Sequence, residues 1–165
     1  MFVEKISTEI ITLEEEIKAV GLSLEKFGFP KDAGKIPEMW TFFCDNYREK
    51  MKNVKDPDIG YWFWFMEPDH YDYLVGLSVT EYGDIDDALS AFAIPAGKYI
   101  KDSFNAKDFG DLVDGVLQER KSIVKKWAED RNSKIVGYPV TGIEVYPEKD
   151  LSAEYPSMYT LTPIE

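Results

Sequence analysis

The order of the predicted elements repeats along the chain, and this repeat limits the folds that the chain can adopt. The first half contains strand segments, a helix, a strand, a turn and a strand, and the second half repeats this order from about residue 89. The stretch FWFMEPD before the first turn resembles EVYPEKD before the second. Repeated units of this kind bury a common core when their sheets join. We therefore expect two modules, about 1–82 and 83–165, within one domain of residues 1–165.

Two segments have the apolar periodicity of amphipathic helices. In 36–52, apolar residues recur at i, i+3, i+4 and i+7, and Pro37 suits the first helical turn. In 108–130, an apolar stripe lies opposite a charged face. The stripes consist of Ile36, Met39, Trp40, Phe43, Tyr47 and Met51 in the first helix and of Val113, Val116, Leu117, Val124 and Trp127 in the second.

The rest of the chain reads as strand and turn. Enrichment in β-branched and aromatic residues predicts strands at about 5–12, 16–25, 60–66, 71–80, 89–103, 141–147 and 157–164. The two helices can cover one side of the joined sheet. The opposite side then lies between the modules and need not meet water.

Strand 60–66, GYWFWFM, has aromatic residues on both of its faces. A sheet with one wet face does not require this, so one aromatic face can pack under the helices while the other lines a groove. By the repeat, Glu144 and Tyr146 are expected where Phe63 and Phe65 lie in the first module. A lone carboxylate among aromatic side chains is typical of a pocket for a cationic or strongly polarised ligand. We expect this groove to be the largest pocket.

The acidic composition argues against some classes of partner. The 165 residues include 31 acidic and 19 basic side chains, which gives a net charge of −12. Because nucleic-acid binding needs lysine and arginine to neutralise phosphate, we expect no direct nucleic-acid partner. The chain starts without a signal-peptide pattern, has no apolar run near the ~20 residues of a membrane span, and has one cysteine, Cys44. These features predict a soluble, cytoplasmic protein with no membrane partner.

Patterns for catalysis and for metal or phosphate binding are incomplete. His70 is the only histidine in the sequence and lies in a predicted turn, while Cys44 lies within a helix beside its apolar stripe. We therefore expect no nucleophile–histidine pair. The acids of EYGDIDDALS lack the spacing of a calcium loop, and PAGKY lacks the full phosphate-loop pattern. The sequence predicts no metal site and no cofactor.

Four motifs, IPEMW, YDYLVGLSV, AIPAGKY and GIEVYPEKD, follow one another along the chain. In order and spacing they resemble the GyrI-like small-molecule-binding domain, also called the AraC-type effector-binding domain of the SOUL/GyrI-like superfamily. The resemblance extends from about residue 5 to the end of the chain. It implies an α+β fold with a pseudo-twofold pair of βαββ modules. Their antiparallel sheet would carry two helices on one side and a central groove for organic ligands.

The resemblance also implies site residues. Multidrug-responsive regulators of this type use a buried glutamate for cationic aromatic drugs, and the motif GIEVYPE places that glutamate at Glu144. The aromatic candidates for ligand binding are Tyr61, Trp64, Tyr73, Tyr146 and Tyr159.

Other interpretations of these residues stay open. Glu144 could instead be a solvent-facing strand residue, and the tyrosines could be core residues with satisfied hydroxyls. Strand alternation does not tell which face of 60–66 lines the groove. Trp40 and Trp127 lie at helical core spacing, so we interpret them as packing residues without a functional role.

Three functions are compatible with the sequence. The leading one is a stand-alone binding protein for cationic or amphiphilic aromatic molecules, since no helix-turn-helix pattern precedes the domain. The resemblance also permits a hydrolase of reactive cyclopropane-type xenobiotics, with Glu144 as the general base on a water molecule. It further permits an acidic protein-interaction module of the gyrase-inhibitor type. The identity of the ligand and the oligomeric state stay open.

Overall fold

Eight strands form one antiparallel sheet in the computed structural model, which describes residues 1–28 and 33–165. The strands are β1 (Ile6–Leu13), β2 (Ile17–Ser23), β3 (Ile59–Glu67), β4 (His70–Ser78), β5 (Ser90–Ile94), β6 (Gly97–Asn105), β7 (Val140–Pro147) and β8 (Ser157–Ile164). The helices of the described residues are α1 (Leu24–Phe27), α2 (Ile36–Asn46), α3 (Leu117–Asp130) and α4 (Glu148–Leu151). Short 3₁₀ turns occupy Ala33–Lys35 and Arg48–Lys50, and a π-helical turn, Asp111–Val116, precedes α3.

The strand order is β1-β6-β8-β7-β3-β4-β2-β5, so β3 and β7 pair at the centre of the sheet. β3 belongs to the unit β2-α2-β3-β4, and β7 belongs to the unit β6-α3-β7-β8. The two units therefore meet at this central pair, which confirms the duplicated βαββ architecture. The two edge strands are exchanged between the halves. β1 pairs with β6 of the second unit, and β5 pairs with β2 of the first.

Both long helices lie on the same face of the sheet, as predicted. Met39 and Phe43 of α2 belong to one core cluster with Tyr73 and Val75 of β4. Apolar residues of α3 pack in the same way on the second unit, in clusters that contain Leu117 with Phe104 and Tyr146, and Val124 with Ile100. The strand registers place all these strand residues on one face.

The other face of the sheet is buried by the curvature of the sheet itself. Tyr61 and Phe63 of β3 share a core cluster with Ile143 of β7. The ring of Phe92 on edge strand β5 lies 6.4 Å from that of Phe63 and 5.2 Å from that of Phe65, although two strands separate β5 from β3. The edge therefore folds over the centre, and this explains why β3 is aromatic on both faces.

The structure corrects several element predictions. The helix expected over 36–52 ends at Asn46. The strand expected at 89–103 is interrupted at Pro95, where the missing backbone N–H cannot continue a ladder, and it becomes β5 and β6. The helix expected at 108–130 contains the π-helical turn, which brings Leu112 into the core although it lies outside the predicted stripe. Among the residues that the structure describes, no helix is both long and apolar enough to cross a lipid bilayer.

Candidate ligand-binding groove

A cavity of about 520 Å³ lies between α2 and α3, above the central strands β3 and β7. This volume is within the range of about 300–1,000 Å³ that is usual for small-molecule sites. One wall comes from the start of α2 and the other from the π-helical turn and the first half of α3. The floor is formed by Trp62, Trp64, Tyr73, Glu144 and Tyr146, which project from three adjacent strands.

The aromatic side chains of the groove pack against one another. The ring of Trp62 lies 4.7 Å from that of Tyr146, and Trp64 meets Tyr73 edge-on at 4.7 Å. The ring of Trp40, on α2, lies 6.0 Å from that of Trp62 and packs against the backbone of β3 at Gly60. A Cβ atom at position 60 would be 2.9 Å from Cη2 of Trp40, so only glycine permits this approach.

Glu144 is the carboxylate at the centre of the floor, and its side chain is 13% exposed. The hydroxyl of Tyr146 donates a hydrogen bond to Oε1 of Glu144. The Nζ atom of Lys121 on α3 lies 3.4 Å from Oε2. Each carboxylate oxygen therefore has a partner, which offsets the cost of removing the charge from water.

A β-bulge places Glu144 on the groove face. Between Trp62 and Trp64 of β3, the partner on β7 advances from Glu144 to Thr141, so β7 contains one extra residue. Gly142 lies in this bulge with φ of 58°, a left-handed conformation that favours glycine. As a result, Glu144 lies opposite Trp62 and Thr141 lies opposite Trp64, while Ile143 points into the core on the other face.

The two groove tyrosines are held in their neutral form. Burial raises the pKa of Tyr146 far above its ordinary value, and the charge of Glu144 and its hydrogen bond raise it further. Burial also raises the pKa of Tyr73, with a smaller contribution from Glu144. Both hydroxyls stay protonated at neutral pH, so that of Tyr146 can donate to the carboxylate.

Further charged residues lie at the wall of the groove. Asp114 of the π-helical turn and Glu148 of α4 also line the cavity. Glu148 forms an ion pair with Arg48, whose Nη2 atom is 2.5 Å from Oε1 of Glu148. Within the described parts of the chain, no three His, Cys, Asp or Glu side chains are grouped so that they could hold a metal ion.

The structure brings four of the six predicted site residues together. Trp64, Tyr73, Glu144 and Tyr146 line the groove. Tyr61 and Tyr159 do not, so the prediction that they contribute to it is wrong. Both pair with Val145 and therefore face the opposite side of the sheet, where they pack with the other core cluster.

The predicted position of the groove relative to the helices is also wrong. We expected it on the face opposite the helices, with Glu144 equivalent to Phe63, but it lies between the helices, and Glu144 shares the face of Trp62. The reason is that the curved sheet fills its other face with its own side chains. A larger depression, of about 1,100 Å³, lies elsewhere, beside β1, β6 and the start of β8, so the groove is not the largest pocket.

The groove residues that were not predicted as site residues include Trp40, Trp62 and Lys121. Trp40 lines the groove, although its helical spacing predicts a packing residue. Trp62 also lines the groove, and strand alternation does not predict this because it does not tell which face of β3 meets the groove. Lys121 lies four residues after Leu117, which also lines the groove, so helical spacing is the signal that would have placed it there.

Comparison with solved structures supports the fold. An integron cassette protein from the mobile metagenome of Vibrio cholerae matches 98% of this chain and 99% of its own, with a TM-score of 0.55 and 14% identity. SAV2435 bound to tetraphenylphosphonium matches 96% of this chain and 94% of its own, with a TM-score of 0.67 and 14% identity. A putative bacterial transcription regulation protein from Staphylococcus aureus MU50 matches 98% of each chain, with a TM-score of 0.59 and 15% identity.

Comparison of the sequence with known proteins identifies the family. No curated protein matches the sequence. The family model of the integron-associated effector binding protein matches residues 9–160, which is most of the chain. The chain therefore belongs to the family of integron-associated effector binding proteins, and it has the fold of a GyrI-like small-molecule-binding domain.

Proposed function

We propose that this protein binds cationic or amphiphilic aromatic small molecules in the groove between α2 and α3. The observation that carries the proposal is a carboxylate, Glu144, that lies mostly buried within a cavity of about 520 Å³ whose floor is otherwise aromatic. An apolar pocket with a few convergent polar groups is the usual form of a small-molecule site.

The groove offers a cation two kinds of attraction. The faces of Trp62 and Trp64 carry negative electrostatic potential and attract an organic cation. Glu144 supplies a full negative charge in a region from which water is partly excluded, so its attraction is stronger than it would be at the surface. Neither contact demands one ligand shape, which suits a site for several aromatic cations.

A structural neighbour supports this chemistry. SAV2435 has been solved with tetraphenylphosphonium, a cation that carries four phenyl rings. At 14% identity the likeness extends to the fold and not to the site. For this chain the proposal therefore depends on its own residues, and tetraphenylphosphonium serves as a probe.

Intrinsic fluorescence gives a direct test of the proposal. Three of the four tryptophans, Trp40, Trp62 and Trp64, line the groove. Titration with tetraphenylphosphonium should change their emission. Glu144→Gln should weaken binding by about 1–3 kcal/mol, or roughly fivefold to 150-fold, because a charge-assisted contact is lost.

A matched variant and a neutral probe complete the test. Glu129→Gln removes the same charge from an exposed position of α3 and should leave the affinity unchanged. Triphenylphosphine oxide, which is neutral, should bind wild type and Glu144→Gln almost equally. If Glu144→Gln bound the cation as tightly as wild type, the proposed role of Glu144 would be wrong.

The two other functions considered from the sequence stay predictions. For the hydrolase, both carboxylate oxygens of Glu144 already have partners, Tyr146 and Lys121, so this arrangement favours a counter-charge over a general base. Product formation from a strained electrophile would reverse this ranking. For the protein-interaction module, salt-sensitive binding to a basic partner is the expected signature.

A further inference from the structure

Lys121 places a cation inside the groove that we propose for cationic ligands. Its Nζ atom lies 3.4 Å from Oε2 of Glu144. Among the described residues that line the groove, it is the one basic side chain, alongside the carboxylates of Asp114, Glu144 and Glu148. The carboxylate that would attract a ligand therefore already has a positively charged partner.

The two members of this ion pair differ in their access to water. The side chain of Lys121 is 48% exposed, whereas that of Glu144 is 13% exposed. A lysine ammonium on its flexible stem can move into solvent and be hydrated there. Glu144 is fixed by β7 and by the hydroxyl of Tyr146, so it remains in the groove when the lysine leaves.

We propose that Lys121 is a specificity-determining residue, a resident counter-ion that a cationic ligand must displace from Glu144. This inference rests on the proposed function. It adds that Lys121 competes with the ligand for Glu144. A neutral ligand leaves the pair intact and gains nothing from the carboxylate. A cation gains only the difference between its own contact with Glu144 and that of the lysine.

Lys121→Met tests this exchange, because methionine keeps much of the length of the side chain and removes the charge. Calorimetric titration should show tetraphenylphosphonium binding about threefold to fivefold more tightly than to wild type, the upper part of the range for one partly exposed ion pair. Lys121→Arg retains a competing cation and should bind with an affinity close to that of wild type. Triphenylphosphine oxide should bind Lys121→Met and wild type within about twofold, which separates lost competition from added apolar contact.

Lys125→Met is the matched control. Lys125 is exposed, lies one helical turn further along α3, and its replacement changes the net charge by the same amount. Its affinity for tetraphenylphosphonium should stay within about twofold of wild type. A gain equal to that of Lys121→Met would assign the effect to overall charge and overturn the proposal. Weaker or unchanged binding by Lys121→Met would also overturn it, since a lysine that only supports Glu144 predicts a loss.

A second measurement follows the lysine itself. Acetic anhydride acylates free amines, so mass spectrometry can report the reactivity of each lysine in wild type. Tetraphenylphosphonium should raise the reactivity of Lys121 and leave that of Lys125 unchanged. A Lys121 that is equally reactive with and without the ligand would contradict the exchange.

Glu144→Gln separates the two proposals. In that background, Lys121→Met should bring a clearly smaller gain in affinity than in wild type, because the carboxylate that pairs with Lys121 is gone. If Glu144→Gln weakens binding and Lys121→Met does not tighten it, the proposed function stands and the exchange falls. If wild type does not bind tetraphenylphosphonium at all, both proposals fall.

Discussion

The hydroxyl of Tyr146 donates a hydrogen bond to Oε1 of Glu144, two residues earlier on the same face of β7. The ring of Tyr146 packs 4.7 Å from that of Trp62, which holds the hydroxyl over the carboxylate. Strand geometry thus places an aromatic surface and a charge side by side in the groove before any ligand arrives. Such preorganisation lowers the entropy that is lost on binding.

Tyr146→Phe should reduce the free energy of unfolding by about 1–2 kcal/mol, because a largely buried carboxylate loses a hydrogen-bond donor. Urea denaturation measures the change. Tyr138→Phe, at a residue that is 63% exposed, is the control and should change stability little. Equal effects of the two variants would contradict the role of this hydrogen bond.

The ion pair between Arg120 and Asp102 should be the most sensitive polar contact beneath α3. Two guanidinium nitrogens of Arg120 donate to the fully buried Asp102 at 2.8 and 2.7 Å, and the hydroxyl of Thr8 donates to the same carboxylate at 2.7 Å. Arg120→Met should reduce the free energy of unfolding by about 3–5 kcal/mol, because it leaves a buried charge without its partner.

An exposed pair on the same helix provides the comparison. The Nζ atom of Lys126 lies 3.4 Å from Oδ1 of Asp130, and both side chains are largely exposed. Lys126→Met should change stability by less than about 0.5 kcal/mol. Should guanidinium denaturation give similar midpoints for Arg120→Met and Lys126→Met, the buried pair would not fix α3 to the sheet.

Gly142→Ala should damage both stability and the groove. Its φ of 58° is unfavourable for alanine by about 1–2 kcal/mol, and the new Cβ atom would lie 3.1 Å from Cδ1 of Trp64. We expect a lower free energy of unfolding and a change in tryptophan emission. Gly137→Ala is the control, since a Cβ atom there meets open space. A Gly142→Ala protein with wild-type stability and emission would show that the bulge does not need glycine.

Buried tyrosines should make the protein less stable in alkali. Burial raises the pKa of Tyr99 to about 12, and it raises the pKa values of Tyr73 and Tyr146 well above the ordinary value. The unfolded chain loses these protons first, near pH 10, so it binds fewer protons than the folded protein above that pH. Stability therefore does not depend on these groups below about pH 10 and falls as pH rises from about 10 to 12 and beyond.

The absorbance of tyrosinate tests the predicted loss of stability in alkali. In the folded protein at about pH 11, the buried tyrosines should remain protonated, and unfolding should release their protons. A single titration of all ten tyrosines near pH 10 in the folded protein would contradict the burial of these hydroxyls.

The duplicated architecture could be predicted because local patterns determine it. Helical periodicity located α2 and α3, and the repeated element order gave two units on one sheet. The faces of β3 could not be assigned, since strand alternation separates two sets of side chains without telling which meets the helices. The exchange of β1 and β5 between the halves is a long-range pairing that no local pattern indicates.

Local sequence patterns predicted some of the residues that line the groove and missed those whose position depends on long-range packing. Glu144 could be proposed because a carboxylate in an aromatic, apolar strand is unusual and because the motif around it resembles a known family. Tyr61 and Trp62 are neighbours in the sequence and therefore lie on opposite faces of β3. The prediction placed Tyr61 in the groove, but the groove is on the face of Trp62. Lys121 comes from a helix far along the chain from the floor of the groove, so its ion pair with Glu144 depends on how the helix packs on the sheet.

The most direct test of the central claim uses two probes of nearly the same shape and opposite charge. Calorimetric titration of the wild-type protein with tetraphenylphosphonium and with tetraphenylborate compares a cation with an anion that carry the same four phenyl rings. An aromatic groove with Glu144 at its floor should bind the cation at least about tenfold more tightly than the anion. Equal affinities, or tighter binding of tetraphenylborate, would contradict a groove selective for aromatic cations.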